Sequence, residues 1–367
     1  MRLKIPWAKP SFSAEDKKHL LRALESTWIS GGPYVRELEE RFCAWHGVSH
    51  GLAVSNGTTA LQLALLALDI GPGDEVIVPG FTFVAPVNMV IAQGATPVYV
   101  DIDPETWCID PASIERKITR KTKAIIAVHL YGNVCDMDAI GKLARRKGLR
   151  LIEDAAESAF SKYKGRPAGT FGDLGCFSFQ ATKTITTGEG GFVLTSDSKL
   201  AERMRVVRDH GMRAGKRYWH DVVGFNFRMT NLQAAIGCAQ LKRLGRIISE
   251  RRRLYRLYRE RLRRIPAVAM QRFAPEVEPV VWAITVKLDP DRFRGKRDAI
   301  MARLSDAGIE TRPGFYPFSV MPLYRAPKLP VSMSVGLNAI SLPSFPALEE
   351  RQIDFICDRL ETALARA

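Results

Sequence analysis

The chain has 367 residues, of which 46% are apolar and 25% charged, and it carries a formal net charge of +15. The apolar and charged fractions are ordinary for a globular protein, and the length provides enough chain for two domains. The net charge of +15 is high, and much of it lies in one stretch, Lys242–Arg264. No apolar run approaches the roughly 20 residues that span a bilayer, which argues against a membrane protein. The stretch Met1–Pro6 has no apolar signal-peptide core, so a cytoplasmic enzyme is expected.

The six cysteines lie far apart, and none forms a Cys-x-x-Cys pair. This spacing favours reduced, mostly buried thiols over disulfides. The six histidines are also scattered, so metal binding has little support. The cysteines are Cys43, Cys108, Cys135, Cys176, Cys238 and Cys357.

A candidate anion-binding helix start follows Val54. The segment Asn56–Ala60 leads into the strong helix former Leu61–Leu68. Gly57 and Thr58 in the first turn would offer free backbone N–H groups and the positive end of the helix dipole to a dianion. A simple helix cap would use the same residue types, so this signal alone is weak.

Short β-branched runs alternate with helical stretches, which predicts a mostly parallel sheet with helices on both faces. Ligands collect at the carboxyl ends of the strands in such sheets. Phe81 and Phe83 follow one of these ends, and we expect Phe83 rather than Phe81 to offer a stacking surface. The predicted strands are Glu75–Pro79, Thr96–Val100, Lys123–His129, Leu149–Glu153, Cys176–Phe179 and Gly191–Thr195.

Asp154 directly follows the predicted strand Leu149–Glu153. An ionised aspartate at that edge can keep a pyridine nitrogen protonated, so that the ring accepts electrons. A helix N-cap is an equally good local interpretation. Glu157, three residues further on, could face a hydroxyl of the same ring.

Lys183 lies between the strand Cys176–Phe179 and the glycine-rich loop Gly188–Gly191, with Ser178 five residues before it. A lysine in this position can form a Schiff base with an aldehyde cofactor, and the serine hydroxyl can help to hold its phosphate. An ordinary solvated lysine is the alternative. With the helix start at Gly57, these residues are candidate parts of a pyridoxal phosphate site.

Thr230 and Gln233 predict a capping box at the start of a long helix. The stretch Lys242–Arg264 then holds eleven Lys or Arg residues against Glu250 and Glu260. We expect these cations to form the solvated face of a helix rather than a nucleic-acid or membrane surface. Attraction of a pyrophosphate-bearing substrate is a third interpretation. The apolar residues at helical spacing are Leu244, Ile247, Ile248, Leu254, Tyr255, Tyr258 and Leu262.

The remaining chain predicts a smaller second domain. Pro279–Leu288 alternates like a strand, while Asp298–Ala307 and Gln352–Ala365 are predicted helices. The proline-rich stretch Gly308–Pro346 is expected to be an ordered rim of an active site, because its aromatic residues would be costly to expose. We place the large domain at 1–245 and the small α+β domain at 246–367.

Six segments carry a resemblance to a known family: Asn56–Leu61, Gly71–Val76, Val128–Gly132, Ile152–Glu157, Gly188–Gly191 and Gly224–Asn231. Their order and spacing resemble the DegT/DnrJ/EryC1/StrS family of sugar aminotransferases, from about residue 5 to the C-terminus. The resemblance implies an α/β, type I (aspartate aminotransferase-like) fold with a mostly parallel seven-stranded-type sheet flanked by helices.

The resemblance also implies roles for individual residues. Lys183 would be the Schiff-base lysine and general base, and Asp154 would pair with the pyridine nitrogen. Phe83 would stack on the ring, with Glu157 beside its hydroxyl. The phosphate would be held by Gly57, Thr58 and Ser178, and by Asn226 of the partner subunit.

A homodimer with shared active sites is therefore implied. The cofactor would cycle between pyridoxal and pyridoxamine phosphate. L-glutamate would donate the amino group, and a nucleotide-linked keto sugar would accept it.

Within the family, Lys183–Glu189, Arg217–Trp219 and Gly308–Pro317 resemble the subgroup that aminates C4 of GDP-4-keto-6-deoxymannose, a perosamine-type reaction. Arg228, Tyr316 and Ser319 are candidate substrate residues. Ser319 replaces a histidine that is usual in the subgroup, and Gln180–Thr182 is also unusual.

These departures leave other acceptors open: a UDP- or dTDP-linked 3- or 4-keto sugar, a non-nucleotide ketose or a cyclitol. Some relatives are dehydratases with a histidine in place of the Schiff-base lysine. Lys183 favours amino transfer over that reaction.

Overall fold

The computed structural model describes residues 4–367; Met1–Leu3, part of the stretch Met1–Pro6 and of the predicted first domain, lie outside them. In the described chain the helices are α1 (Ala14–Glu25), α2 (Pro33–His46), α3 (Gly57–Ala67), α4 (Ala85–Ala92), α5 (Pro111–Glu115), α6 (Met137–Lys147), α7 (Ser198–Arg208), α8 (Asn231–Lys242), α9 (Leu244–Leu262), α10 (Pro290–Phe293), α11 (Arg297–Asp306), α12 (Pro330–Asn338) and α13 (Glu350–Ala365).

The strands are β1 (His50–Val54), β2 (Glu75–Pro79), β3 (Thr96–Val100), β4 (Thr122–Val128), β5 (Arg150–Asp154), β6 (Lys162–Tyr163), β7 (Arg166–Pro167), β8 (Leu174–Ser178), β9 (Gly191–Thr195), β10 (Val268–Met270), β11 (Val277–Glu278), β12 (Ile284–Leu288), β13 (Arg312–Pro313) and β14 (Ala339–Leu342).

A seven-stranded sheet forms the centre of the molecule, in the order β1-β9-β8-β5-β4-β2-β3. The strands from β8 to β3 run parallel, whereas β9 is antiparallel to both of its neighbours. The sheet is thus mostly parallel, as predicted. β1 was not predicted as a strand, because its sequence His50–Val54 contains a glycine and only two β-branched or large apolar residues.

Side-chain alternation along the strands builds two cores, one on each face of the sheet. Ile126 and Ile152 belong to one core, whereas their neighbours Ile125 and Leu151 belong to the other. Helices cover both faces, so the central residues of most strands are apolar on both sides of the sheet. The six cysteines are free thiols and five of them are buried, in agreement with the sequence.

A third core lies in the C-terminal part of the chain. It joins residues from Leu254 to Leu364 with Ile5, around the antiparallel sheet β10-β12-β14-β13. Ile5 forms a bridge with Ile309, and Trp7 donates its N–H to the carboxylate of Glu310. The boundary predicted at 245/246 falls in the first turn of α9 and stays a prediction.

The basic stretch is mostly the solvated face that was predicted, with one exception. α9 buries Leu244, Ile247, Leu254 and other apolar residues, and most of its arginines are exposed or half-buried. Arg251, however, is buried among the apolar residues. The expectation of a wholly solvated set of cations was wrong at this position, because the side chain finds backbone carbonyl acceptors inside the protein.

Across residues 4–367, no helix is both long enough and apolar enough to cross a bilayer.

Candidate active site

Two neighbouring strands bring the predicted acid and lysine to one edge of the sheet. β5 pairs with β8, with Asp154 opposite Cys176, and Lys183 follows β8 by a short turn. Both side chains line a cavity of about 800 Å³. The cavity is lined by Trp7, Asn56, Gly57, Thr58, Thr59, Leu61, Thr82, Phe83, Ala85, Val128, Asp154, Ala156, Glu157, Ser178, Gln180, Thr182, Lys183, Glu189, Trp282 and Phe315.

The start of α3 and the end of β8 form a polar cradle at this cavity. Asn56 caps α3 by accepting the N–H of Thr59 at 2.8 Å. Gly57 and Thr58, as the first two helical residues, keep N–H groups that the helix cannot satisfy. A Cβ on Gly57 would lie 2.8 Å from Cβ of Ser178, so only glycine lets the helix start approach the serine this closely.

Two buried carboxylates line the cavity, Asp154 at the end of β5 and Glu157 in the turn that follows. Asp154 accepts the N–H of Ala156 at 3.1 Å, and Glu157 accepts the N–H of Tyr131 at 3.0 Å. Burial raises the pKa of both carboxyls above their ordinary values, and Lys183 is among the groups that oppose the rise at each. A cationic partner in the cavity would therefore strongly favour their ionised forms.

Lys183 is enclosed between an acid and an aromatic ring. Its Nζ lies 3.5 Å from Oε1 of Glu157 and 3.6 Å from the centroid of the Trp282 indole ring. Burial lowers the pKa of the Lys183 amine, while Glu157 and Asp154 oppose that effect. The amine is thereby shifted toward its neutral form, which acts as nucleophile or proton acceptor.

The turn before the lysine is built by Gln180. Its side-chain Oε1 accepts the N–H of Thr182 at 2.9 Å and the Thr182 hydroxyl at 2.8 Å. The backbone carbonyl of Gln180 accepts the N–H of Lys183 at 2.9 Å. The unusual residues Gln180–Thr182 therefore form a closed turn that presents the lysine to the cavity.

Aromatic residues form the opposite wall. Phe83 is 53% exposed and lines the cavity, with its ring centroid 5.8 Å from that of Phe315. Phe81 is buried in the core and packs on Tyr131. Phe83 is thus the aromatic residue of this pair that is available for stacking.

Four other predicted residues lie away from the cavity of their own chain. Tyr316 lines a separate cavity and accepts a hydrogen bond from Arg297 at 2.9 Å. The Ser319 hydroxyl contacts the sulfur of Met333 at 3.1 Å. Asn226 and Arg228 are exposed, and Arg228 pairs with Asp209 at 3.0 Å. A single chain therefore does not unite these four with Lys183.

The structure adds residues that the sequence did not single out. Trp282 stands 99 positions after Lys183, and its indole N–H donates to the carbonyl of Thr182 at 2.8 Å. Trp7 packs edge-on against it at 5.7 Å, and the buried Trp7 indole N–H has no hydrogen-bond partner among residues 4–367. Only the tryptophan residue type hinted at these roles, because no local pattern connects such distant segments.

These residues fit pyridoxal phosphate. The Gly57–Ser178 approach leaves a cradle of N–H and hydroxyl donors for a phosphate. In the same cavity, the Asp154 carboxylate has a single N–H partner among residues 4–367, which leaves a carboxylate oxygen for a ring nitrogen. Lys183 provides the amine for the aldehyde.

Comparison with known proteins agrees with this geometry. Residues 10–361 match the DegT/DnrJ/EryC1/StrS aminotransferase family. A GDP-perosamine synthase from Escherichia coli O157:H7 is 44% identical, over 97% of each chain. One from Caulobacter vibrioides is 43% identical, over 98% of each chain.

Among solved structures, the aminotransferase from Psychrobacter cryohalolentis is 33% identical with a TM-score of 0.91, over 99% of both chains. The PMP form of Spr1654 from Streptococcus pneumoniae is 27% identical with a TM-score of 0.95, over 99% of this chain and 98% of that one. The PLP form of Spr1654 is equally similar in sequence.

Matches of this extent define a pyridoxal phosphate-dependent sugar aminotransferase with the type I fold. The chain belongs to the DegT/DnrJ/EryC1/StrS aminotransferase family. The fold class and cofactor predicted from the sequence are confirmed.

Proposed function

We propose that this enzyme moves the amino group of L-glutamate to C4 of GDP-4-keto-6-deoxymannose. The observation that carries the reaction type is the Lys183 amine, whose side chain is only 14% exposed and shares one cavity with Asp154, Glu157 and the Gly57–Ser178 cradle. The choice of sugar is supported by three relatives named GDP-perosamine synthase, which are 42–44% identical over nearly their full length.

In this proposal, Lys183 binds the aldehyde of the cofactor, and Asp154 holds its ring nitrogen. Gly57, Thr58 and Ser178 bind the phosphate, and Phe83 covers the ring. Glu157 lies near enough to Lys183 to accept a hydrogen bond from its ammonium form. When bound, pyridoxal phosphate supplies an electron-accepting ring.

Lys183 also moves the proton of the reaction. Because burial lowers the pKa of its amine, a larger fraction of Lys183 is neutral at a given pH and can accept a proton from a substrate carbon. Glu157 and Trp282 hold the amine at the cavity wall from two sides. This arrangement restricts the proton transfer to one position in the cavity.

We further infer a homodimer with shared active sites. Trp28, Tyr218 and Val223 are 65%, 76% and 83% exposed, and large exposed apolar side chains are typical of an interface. Asn226, which is exposed and outside the cavity of its own chain, is proposed to reach the phosphate in the partner subunit, with Arg228 beside it at 3.3 Å. Tyr316 and Ser319 are not carried into the proposal, because they lie away from the cavity.

A panel of nucleotide-linked keto sugars tests the function. The enzyme is incubated with L-glutamate and each acceptor, and 2-oxoglutarate release is measured. We expect GDP-4-keto-6-deoxymannose to react fastest, and Lys183→Ala to lower that rate by about 10³-fold or more. A faster reaction with a non-nucleotide ketose or a cyclitol would refute the substrate class. Loss of the sugar 3-hydroxyl without formation of an amino sugar would indicate a dehydratase.

A further inference from the structure

Arg251 is a buried guanidinium without an acidic partner. It belongs to α9, where it is buried with the apolar residues of that helix, and it is 3% exposed. Within residues 4–367, no carboxylate forms an ion pair or hydrogen bond with it, and its Nε has no hydrogen-bond partner. A buried charge without a counter-ion costs folding free energy, so its presence calls for a physical reason.

The guanidinium joins three segments at the back of the active site. It donates to the carbonyl of Trp282 at 2.8 Å, to that of Ser344 at 3.2 Å and to that of Thr182 at 3.5 Å. Thr182 directly precedes Lys183. The Thr182 carbonyl also accepts the Trp282 indole N–H. Trp282, whose ring contacts the Lys183 amine, is therefore fixed at its backbone carbonyl by Arg251 and at its indole nitrogen by Thr182.

The charge of Arg251 acts on the same amine. Four influences face Lys183: burial lowers its pKa most, Glu157 and Asp154 raise it, and Arg251 lowers it. Burial lowers the pKa of Arg251 itself to about 10. The guanidinium therefore stays protonated at neutral pH, and its repulsion of a second cation persists.

We propose that Arg251 is a positioning residue for Lys183: it fixes the Thr182 turn against the Trp282 ring, and it places an unpaired positive charge directly behind that turn. This inference rests on the proposed role of Lys183 in the reaction. A carboxylate beside Arg251 would cancel the repulsion between its guanidinium and a protonated Lys183 amine, and among residues 4–367 no carboxylate pairs with Arg251. The helix α9, otherwise a surface element, thereby contributes to the active site from behind.

Arg253 offers a matched control on the same helix. It also donates to two backbone carbonyls, those of Pro346 at 3.4 Å and Leu348 at 2.9 Å. Arg251 lines a small cavity behind the lysine turn, together with Thr182 and Lys183. Arg253 does not line this cavity. Its loss removes the same kind of contact without touching the lysine turn.

The first test measures the charge effect without turnover. Full-length protein freed of cofactor is labelled with an amine-reactive ester at a series of pH values, and the Lys183 peptide is quantified by mass spectrometry. We expect Arg251→Met to raise the pH midpoint of Lys183 labelling by about one unit, and Arg253→Met to leave it unchanged. An unchanged midpoint in Arg251→Met, or an equal rise in both variants, would overturn the proposal.

The second test separates charge from geometry and covers a failure of Arg251→Met to fold. Arg251→Lys keeps a cation but cannot reach three carbonyls at once. We expect its labelling midpoint to stay near that of the wild type, while amide hydrogen exchange in the 180–187 peptide becomes at least about threefold faster. Exchange no faster than in Arg253→Lys would refute the positioning role. Neither readout requires catalysis. A failure of the positioning role can therefore be distinguished from a failure of the proposed function, which the substrate panel and its Lys183→Ala control test.

Discussion

At the scale of residues, Glu153 and Asp154 show how adjacent carboxylates on one strand serve different ends. Their side chains leave β5 on opposite faces. Glu153 accepts N–H groups from Gly169 and neighbouring residues and pairs with His129 at 2.9 Å. Asp154 lines the cavity, and within the part of the chain that the structure describes its carboxylate accepts one N–H. Glu153 is satisfied by the protein, whereas Asp154 is left for a ligand.

This contrast gives a paired prediction. We expect Asp154→Asn to retain cofactor and folding stability but to lose at least about 100-fold in turnover, because an amide cannot keep a ring nitrogen protonated. We expect Glu153→Gln to lower the free energy of unfolding by about 2–4 kcal/mol, because one amide cannot accept all of those N–H groups. Steady-state rates and urea unfolding measure both effects. If Asp154→Asn kept its full rate, Asp154 would be only a turn residue.

Residue-scale prediction from sequence succeeded where a local pattern carried the chemistry. Gly57 begins α3, Asp154 ends β5 and Lys183 follows β8, so the α/β pattern marked each as a candidate. That β5 and β8 are neighbours, which brings Asp154 and Lys183 together, is shown by the structure alone. Trp282 and Arg251 could not be found in this way. Their importance arises from tertiary contacts with Thr182, which lies 100 and 69 residues away in the chain.

At the scale of elements, α2 ends in a histidine that the core keeps neutral. His46 packs among aromatic rings, with centroids 4.2 Å from Phe42 and 5.1 Å from Phe177. Its Nδ1 contacts the Phe42 carbonyl at 2.8 Å, and its buried Nε2 has no partner among the described residues. Burial lowers the pKa of His46 from 6.5 to about 3.

His46 should therefore make the free energy of unfolding depend on pH. Between pH 6.5 and 3 the unfolded chain binds a proton at His46 that the folded chain does not, so stability falls as the pH drops through this range. We expect the wild type to lose about 2 kcal/mol more than His46→Phe between pH 7.5 and 5. Urea unfolding at the two pH values measures the difference. Exposed His220→Phe is the control, and parallel curves for wild type and His46→Phe would contradict the prediction.

Elements with strong patterns matched the structure closely. The predicted strands Glu75–Pro79 and Gly191–Thr195 have the observed bounds, and the capping box of Thr230 and Gln233 is present. Pro279–Leu288 was predicted as one strand, but only Ile284–Leu288 is extended. The preceding residues are outside the sheet, and among them Trp282 lines the cavity. The alternation of apolar and polar residues cannot reveal such a tertiary contact.

At the scale of the whole molecule, the segment Phe225–Thr230 connects the proposed subunit interface with the catalytic sheet. Its exposed residues alternate with buried Phe227 and Met229. Ser55, just before the cradle, donates its N–H to the carbonyl of Phe227 at 2.8 Å. Asn231 contacts the carbonyl of Trp28 at 2.7 Å. The surfaces that would meet a second copy are therefore anchored directly beside the cofactor cavity.

A mixing experiment tests whether the active sites are shared. Lys183→Ala and Asn226→Ala should each be nearly inactive as pure dimers. After subunit exchange, we expect about a quarter of wild-type activity, because half of the dimers are mixed and each contains one intact site. Light scattering should give about twice the chain mass of 41.0 kDa. No recovery after verified exchange would show that Asn226 acts in its own chain, or not at all.

The contact of Trp7 with Glu310, 303 residues apart, has a consequence for biosynthesis. Trp7 and Trp282 form one wall of the cavity, and the Ile5–Ile309 bridge holds that wall in place. A ribosome must therefore release almost the whole chain before the wall can close. The parallel sheet can assemble earlier, but the binding site is complete only after most of the chain has left the ribosome.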